Sequence, residues 1–244
     1  MEYKNHKIIE AVCAFRFNPH ENNWDITSFA DFYNSIKEFG FIKKSEIKPV
    51  QLSFQLRMNE PSPIPQMTEG ETNMVIKNEK ENQAVLIGNN YISFHTLKHY
   101  PGWEVFSDEL ISPLINKYFE IGYGKGLVSA QMIYINRLEL DRTQKLSDYL
   151  TFVPATEHFG EGDELSHLFQ STYKIAPNKV LQLKTILNVL PTNRIKTVIL
   201  ECNCIANNTP DYKIPWSDLA KDAHDSAKDA FINISSDYFK DQIK

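Results

Sequence analysis

Glycine and arginine are what this 244-residue chain has least of: nine glycines and only five arginines beside 21 lysines. So few glycines exclude collagen-like and flexible-linker chains, and they leave few places where backbone could cradle a phosphate. The one dense cluster, Gly122-Tyr123-Gly124-Lys125-Gly126, follows a predicted helix and precedes a predicted strand. A nucleotide loop needs the reverse order, because the phosphate must meet a helix N-terminus. The cluster therefore reads as a helix C-cap and connector.

Other absences narrow the field further. Cys13, Cys202 and Cys204 are odd in number and lie in apolar runs, the pattern of reduced, buried thiols rather than of a disulfide framework. No second Cys/His pair stands near Cys202 and Cys204 at zinc-ligand spacing. No apolar run approaches the ~20 residues that span a bilayer. Met1 to Lys7 carries charge with no apolar stretch behind it, so no signal peptide is expected and the chain is read as cytoplasmic, with no membrane partner. Basic charge is not in excess either: 31 acidic against 26 basic side chains give −5, which argues against nucleic-acid binding through bulk charge. No Gly-x-Ser-x-Gly occurs and no cysteine heads a predicted helix, so no acyl-transfer nucleophile stands out. No cofactor is implied.

What is present is the balance of a globular domain, 42% hydrophobic, 12% aromatic and 23% charged. The length suits one domain over residues 1–244, or two intimate halves, 1–122 and 123–244. Ile8 to Phe17 alternates as a strand with Ala11, Cys13, Phe15 and Phe17 on one face. Ile26 to Phe39 carries Phe29, Phe32, Ile36 and Phe39 at helical spacing and stops at Gly40. Pro49 to Met58 alternates as a strand, and Asn59 to Asn73, with three prolines, reads as a mobile surface loop. Strands are expected at Met74 to Lys77, Gln83 to Ile87 and Asn90 to Leu97. A helix follows from Trp103 to Ile121, kinked or restarted at Pro113 with Ser112 as a new N-cap.

Leu127 to Leu140 is a long strand and Gln144 to Phe169 a mixed region with some helix. Val180 to Leu190 and Ile195 to Ala206 form a hairpin, and a helix runs from Trp216 to Phe239. These elements predict an α+β fold, a mostly antiparallel sheet covered by helices, with a loosely duplicated β-α-β-β-β-α unit.

Two groups of residues could carry chemistry. His95 and His99, with Glu104, have the types a metal-dependent hydrolase uses, and a third ring could come from His158 or His167. Against this, His99 precedes Tyr100-Pro101, where extended backbone is favoured. The second group is the arginines. Arg16, Arg57 and Arg137 lie within predicted strands, on faces shared with Gln51, Ser53, Gln55, Gln131, Glu139, Glu201 and Asn203. If these strands are neighbours, one sheet face is polar: a solvated surface, a ligand- or partner-binding face using Arg16, Arg57, Arg137, Glu139, Glu201 and His95, or an ion-pair network of Arg137 with Glu139 or Glu201. In the terminal helix, His224 sits beside the apolar stripe and is expected to hydrogen-bond into the sheet. Trp103 and Trp216 read as core anchors.

The segments Ile9-Glu10-Ala11-Val12-Cys13-Ala14-Phe15-Arg16-Phe17, Tyr91-Ile92-Ser93-Phe94-His95, Tyr100-Pro101-Gly102-Trp103-Glu104-Val105-Phe106, Tyr134-Ile135-Asn136-Arg137 and Leu219-Ala220-Lys221-Asp222-Ala223-His224-Asp225 carry a resemblance. Together they resemble a sporadically distributed bacterial family of proteins of similar length and no established function. Patchy distribution of that kind implies an association with mobile elements or defence loci, and the resemblance carries over no catalytic residue. The expected function is a non-catalytic interaction protein that binds a protein partner, with self-association open, in a defence or toxin-neutralising system. The alternatives are a small-molecule or nucleotide sensor using the arginine-lined face and, last, the metal-dependent hydrolase.

Overall fold

Strand β1 (Ile8–Phe17) is buried on both sides, since Val12 and Ala14 are as inaccessible as Ala11, Cys13 and Phe15, and such a strand belongs in the middle of a sheet. The computed structural model, which describes residues 7–18, 26–47, 50–55, 64–69, 73–88, 90–97, 100–141, 144–152, 166–189, 195–209 and 213–243, places it there. β1 pairs with β7 (Tyr91–Leu97) on one side and with β8 (Leu127–Asp141) on the other. Beyond β7 lie β6 (Gln83–Gly88), β5 (Asn73–Asn78) and β2 (Phe41–Ile47). Beyond β8 lie β11 (Ile195–Asn207), β10 (Lys179–Val189) and β9 (Ser166–Ala176). The nine strands run β2-β5-β6-β7-β1-β8-β11-β10-β9, and every pairing among them is antiparallel. The fold is α+β.

The helices gather on one face, the one onto which Phe15, Phe17, Phe94, Met132 and Tyr134 project. Helix α1 (Ile26–Ile36) and α3 (Ser112–Glu120) meet there through Phe32, Tyr118 and Phe17. Helix α5 (Trp216–Ile234) turns Leu219, Ala220, Ala223, Ala227 and Ala230 inward over β8 and β11. Small side chains let its backbone lie close to the sheet, and Trp216 closes its N-terminal end edge-on to Phe15. Cys13, Cys202 and Cys204 are reduced in this core, and burial pushes each thiol up, Cys202 to about 12.

Several sequence expectations are corrected. Strand β2 was not foreseen: its alternation is broken by Lys43, Lys44 and Ser45, and tertiary pairing with β5 decides it. Of the segment read as a loop, Ile64–Glu69 is a strand, β4, paired with β3 (Val50–Gln55) in a separate two-stranded sheet; residues 56–63 and 70–72 lie outside the described residues. Each strand of a two-stranded sheet has a free edge, the setting in which a strand proline such as Pro65 is tolerated. Ser112 is not a new N-cap. Backbone at Ile111 and Ser112 stays helical, and the chain passes from α2 (Trp103–Val105) through a π-helical stretch, Phe106–Ile111, into α3. Proline lacks an N–H and crowds the carbonyl four residues back, and the wider π turns accommodate both.

The mixed region holds a short helix, α4 (Leu146–Tyr149), and the start of β9, with residues 153–165 outside the described set. The terminal helix ends at Ile234, where extended Ser235 bridges to Leu150, and α6 (Asp237–Ile243) starts afresh. Ser236 Oγ accepts the Phe239 N–H at 3.1 Å, an N-cap that the helical periodicity conceals. The glycine cluster is a connector: Gly122, Gly124 and Gly126 all have positive φ, at 88°, 83° and 66°.

Candidate functional site

No described helix packs on the other sheet face, and Arg16, His95, Gln131, Arg137, Glu139, Glu201 and Asn203 of the sequence-predicted polar set collect there, whereas Gln51, Ser53 and Gln55 belong to β3 of the separate two-stranded sheet. Register places Glu10, Val12, Ala14 and Arg16 of β1 beside Tyr91, Ser93 and His95 of β7 and beside Ser129, Gln131, Ile133 and Ile135 of β8, which runs on past β1 to Arg137 and Glu139. Next come Glu201 and Asn203 of β11, then Gln182 of β10. Alternation with period two explains the placement, since successive residues of a strand take opposite faces, and these polar residues fall on the side away from the helices together with Val12, Ala14, Ile133 and Ile135.

Two hydrogen-bonded groups occupy the centre of the face. Ser93 Oγ lies 2.9 Å from His95 Nε2, and His95 Nδ1 lies 2.9 Å from a Glu10 carboxylate oxygen. A carboxylate only accepts, so Nδ1 carries a proton; in the neutral ring Nε2 then accepts from the Ser93 hydroxyl. That is the bond order of a hydrolytic triad. Ser93, however, exposes none of its surface, and its side chain also hydrogen-bonds Tyr91. The group is a braced polar row rather than an accessible nucleophile. On the far side of Ala14 and Ile133, the Gln131 amide donates to Asn203 Oδ1 at 2.9 Å, and Asn203 Nδ2 donates to Gln182 at 3.1 Å. Asn203 is buried and satisfied at both ends.

The charged residues stand at opposite ends of the face. Arg16 is exposed, with its guanidinium 5.3 Å from the centroid of the Tyr91 ring. Arg137 donates to Glu139 at 2.8 Å, and Glu201 lies one diagonal away on β11. Of the two acids offered to Arg137 by the sequence, Glu139 is its ion-pair partner. Both side chains of that pair are about half exposed, where such a pair contributes little. Arg16 sits opposite Ser129, eight residues from Arg137 along β8, hence roughly 26 Å away at 3.3 Å per residue. Arg57, His99 and His158 lie outside the described residues. His95 and Glu104 are separated by the sheet, since Glu104 belongs to α2 among the helices. Among the described residues no group of three His, Cys, Asp or Glu side chains could hold a metal ion.

A cavity of about 600 Å³ opens where β1 begins and β8 runs on past it. Lys7, Arg137, Glu139 and Gln144 line its polar side, Tyr149 and Phe239 its apolar side. Arg137 and Glu139 thus face a concave space as well as the sheet surface.

On the helix side, His224 reaches the sheet as expected, through Tyr134, whose hydroxyl is 2.5 Å from His224 Nδ1. Tyr134 in turn hydrogen-bonds Tyr100 at 2.8 Å, and Trp103 stacks on the imidazole with centroids 4.5 Å apart and planes 6° from parallel. Asp225 Oδ1 stands 3.8 Å from Nε2, beyond hydrogen-bond distance. Burial pushes the imidazole down to about 4, so this is a neutral, packed histidine. The residues that sequence reasoning missed are Ser93 and Tyr134. The i, i+2 spacing of Ser93 and His95 on one strand was the available signal for the first; nothing local marks Tyr134 as the partner of a residue 90 positions away. No protein-family model matches the chain, and neither a curated protein nor a solved structure matches it.

Proposed function

We propose that the chain is a non-catalytic interaction protein that holds a protein partner against the helix-free face of its sheet. The observation that carries this reading is the segregation of the helices to one face, which leaves half-buried Ile133 and Ile135 flanked by the braced rows of Ser93, His95 and Glu10 and of Gln131, Asn203 and Gln182. Aliphatic centres ringed by fixed polar groups suit protein surfaces. Among the described residues the face carries no row of stacking aromatics of the kind that binds a single-stranded nucleic acid. Ser93 is inaccessible and His95 is divided from Glu104 by the sheet, which weighs against hydrolysis.

A small-molecule sensor is the second reading, favoured by the cavity at Arg137 and Glu139, whose volume lies in the usual ligand range. We also read the chain as two copies of one unit. β1 and β8 stand at the centre, and each is flanked outward by its own half's last strand, then the preceding ones, with a helix closing each half. Resemblance to the sporadically distributed bacterial family supports a partner within a defence or toxin-neutralising system.

Native copurification from the source cell, followed by intact-mass measurement, tests the main reading. A protein partner should be retained by wild type and by Ile42→Arg, on the exposed part of β2, and lost with Ile133→Arg. Purified wild-type protein that carries no partner, or a partner indifferent to Ile133→Arg, overturns it.

A further inference from the structure

β9 ends the nine-stranded sheet, and among the described residues nothing pairs with its outer edge. Edge strands of proteins that stay monomeric are usually short, charged or broken by proline, because an unpaired row of N–H and C=O groups invites another strand. β9 has eleven residues, one charged side chain (Lys174) and no proline; its only irregularity is a register shift at its last residues, between Lys174 and Ala176. It also overhangs the helices. α5 lies on β8 and β11, so Tyr173, opposite Leu181 and thus on the helix side, stays 44% exposed. On the other face Leu168 is 67% exposed.

We propose that β9 pairs antiparallel with β9 of a second copy of this chain, about a two-fold axis at Ser171, joining the two sheets into one. A two-fold on an antiparallel edge requires the strand to match its own reverse, and β9 does. With Ser171 opposite itself, Phe169 meets Tyr173 of the second copy on the helix side, twice over, an aromatic pair of the type that stabilises sheets. On the other face Gln170 meets Thr172, and Leu168 meets Lys174. No like charges face one another, and the two Lys174 side chains end about 20 Å apart, six residues at 3.4 Å each. An unrelated partner strand would have no reason to find this match. The shared edge is about 37 Å long by the same spacing, a modest interface, so the dimer belongs in the micromolar range.

Sedimentation velocity on the full chain from about 1 to 200 µM tests this, since it brackets such an affinity. Wild type should move from the 28.2 kDa of one chain to twice that mass. Leu168→Lys sets two ammonium groups against Lys174 of the opposite copy, one at each end, and should raise the Kd about ten-fold. Leu168→Glu sets carboxylates there and should lower it by a similar factor. Leu168 is mostly exposed, so both variants should keep the wild-type circular dichroism and melting temperature. A wild type that stays monomeric throughout, or a dimer that responds equally to both substitutions, overturns the proposal. This outcome is independent of whether a protein partner binds the sheet face.

Discussion

The imidazole of His224 should make the protein acid-sensitive in a window that can be computed. Its ordinary value of 6.5 is pushed down to about 4, chiefly by burial, against a smaller upward pull from Asp225. Around it stand Tyr134 at Nδ1, Trp103 across the ring, Asp225 at Nε2, and the charges of Lys221, Lys228 and Glu104. Between pH 6.5 and 4 the unfolded chain takes up a proton here and the folded chain does not, so stability is complete above 6.5 and falls as pH falls. At about 1.4 kcal/mol per tenfold change in proton concentration, the full window amounts to an upper bound of about 3 kcal/mol. Only about 1.5 pH units of that window, from 6.5 to 5, lie between pH 7 and pH 5, so about 2 kcal/mol is the figure for that range. For a domain of this size that is roughly 4 to 8 °C in Tm. His224→Asn keeps a hydrogen-bonding partner for Tyr134 and removes the proton site. Other carboxylates titrate in both proteins, so the quantity to read is the difference between wild type and variant in urea denaturation at pH 7, 6 and 5. The wild-type advantage should shrink by about 2 kcal/mol over that range. Parallel curves would refute the assignment of a buried neutral imidazole.

Three further outcomes follow from the same geometry. Asn203→Ala strands the Gln131 and Gln182 amides and should cost about 1–2 kcal/mol by chemical denaturation, with no change in secondary structure. Gly122→Ala and Gly124→Ala both place a side chain at positive φ, but only the second sets its Cβ 2.4 Å from the Phe119 ring. Gly122→Ala should therefore cost about 1 kcal/mol in thermal melts and Gly124→Ala clearly more. Arg137→Ala removes a half-exposed ion pair and should shift stability by less than about 0.5 kcal/mol.

Strand positions that alternate strictly were legible in the sequence, and positions decided by remote pairing were not. β8 shows period two from Ala130 onward because it sends every second residue into the helix-covered core, and β1 was legible as an apolar run rich in strand formers, buried on both sides. β2 does not alternate, and β9 mixes polar and apolar residues because the helix layer stops short of it; only pairing with β5 and β10 makes them strands. The π-helical stretch escaped for a different reason. Pro113 announces that the helix must yield, but whether it restarts or widens depends on Phe106, Leu110 and Ile111 staying on the buried side. Widening the turns satisfies both demands, and a fresh N-cap would have swung those side chains out of the core.

The arginines illustrate how a correct face can be a misleading site. Their placement in strands pointed to one polar sheet surface, and Arg16, Arg137, Glu139, Glu201 and His95 do share a face. Alternation fixes which face a residue takes, but register and strand length fix where along it. Arg16 and Arg137 stand about 26 Å apart by the spacing of β8, with Ala14, Val12, Ile133 and Ile135 between them. No small ligand touches both. Arg16 is engaged with an aromatic ring at one end, and Arg137 with Glu139 beside a cavity at the other. Between them, among the described residues, the hydrogen-bonded polar groups are the amides of Gln131, Asn203 and Gln182, the Ser93 hydroxyl and His95 held by Glu10. On the proposed reading, recognition on this face is spread over a protein-sized footprint. Single arginine substitutions should barely alter it, whereas one charge placed at Ile133 should abolish it.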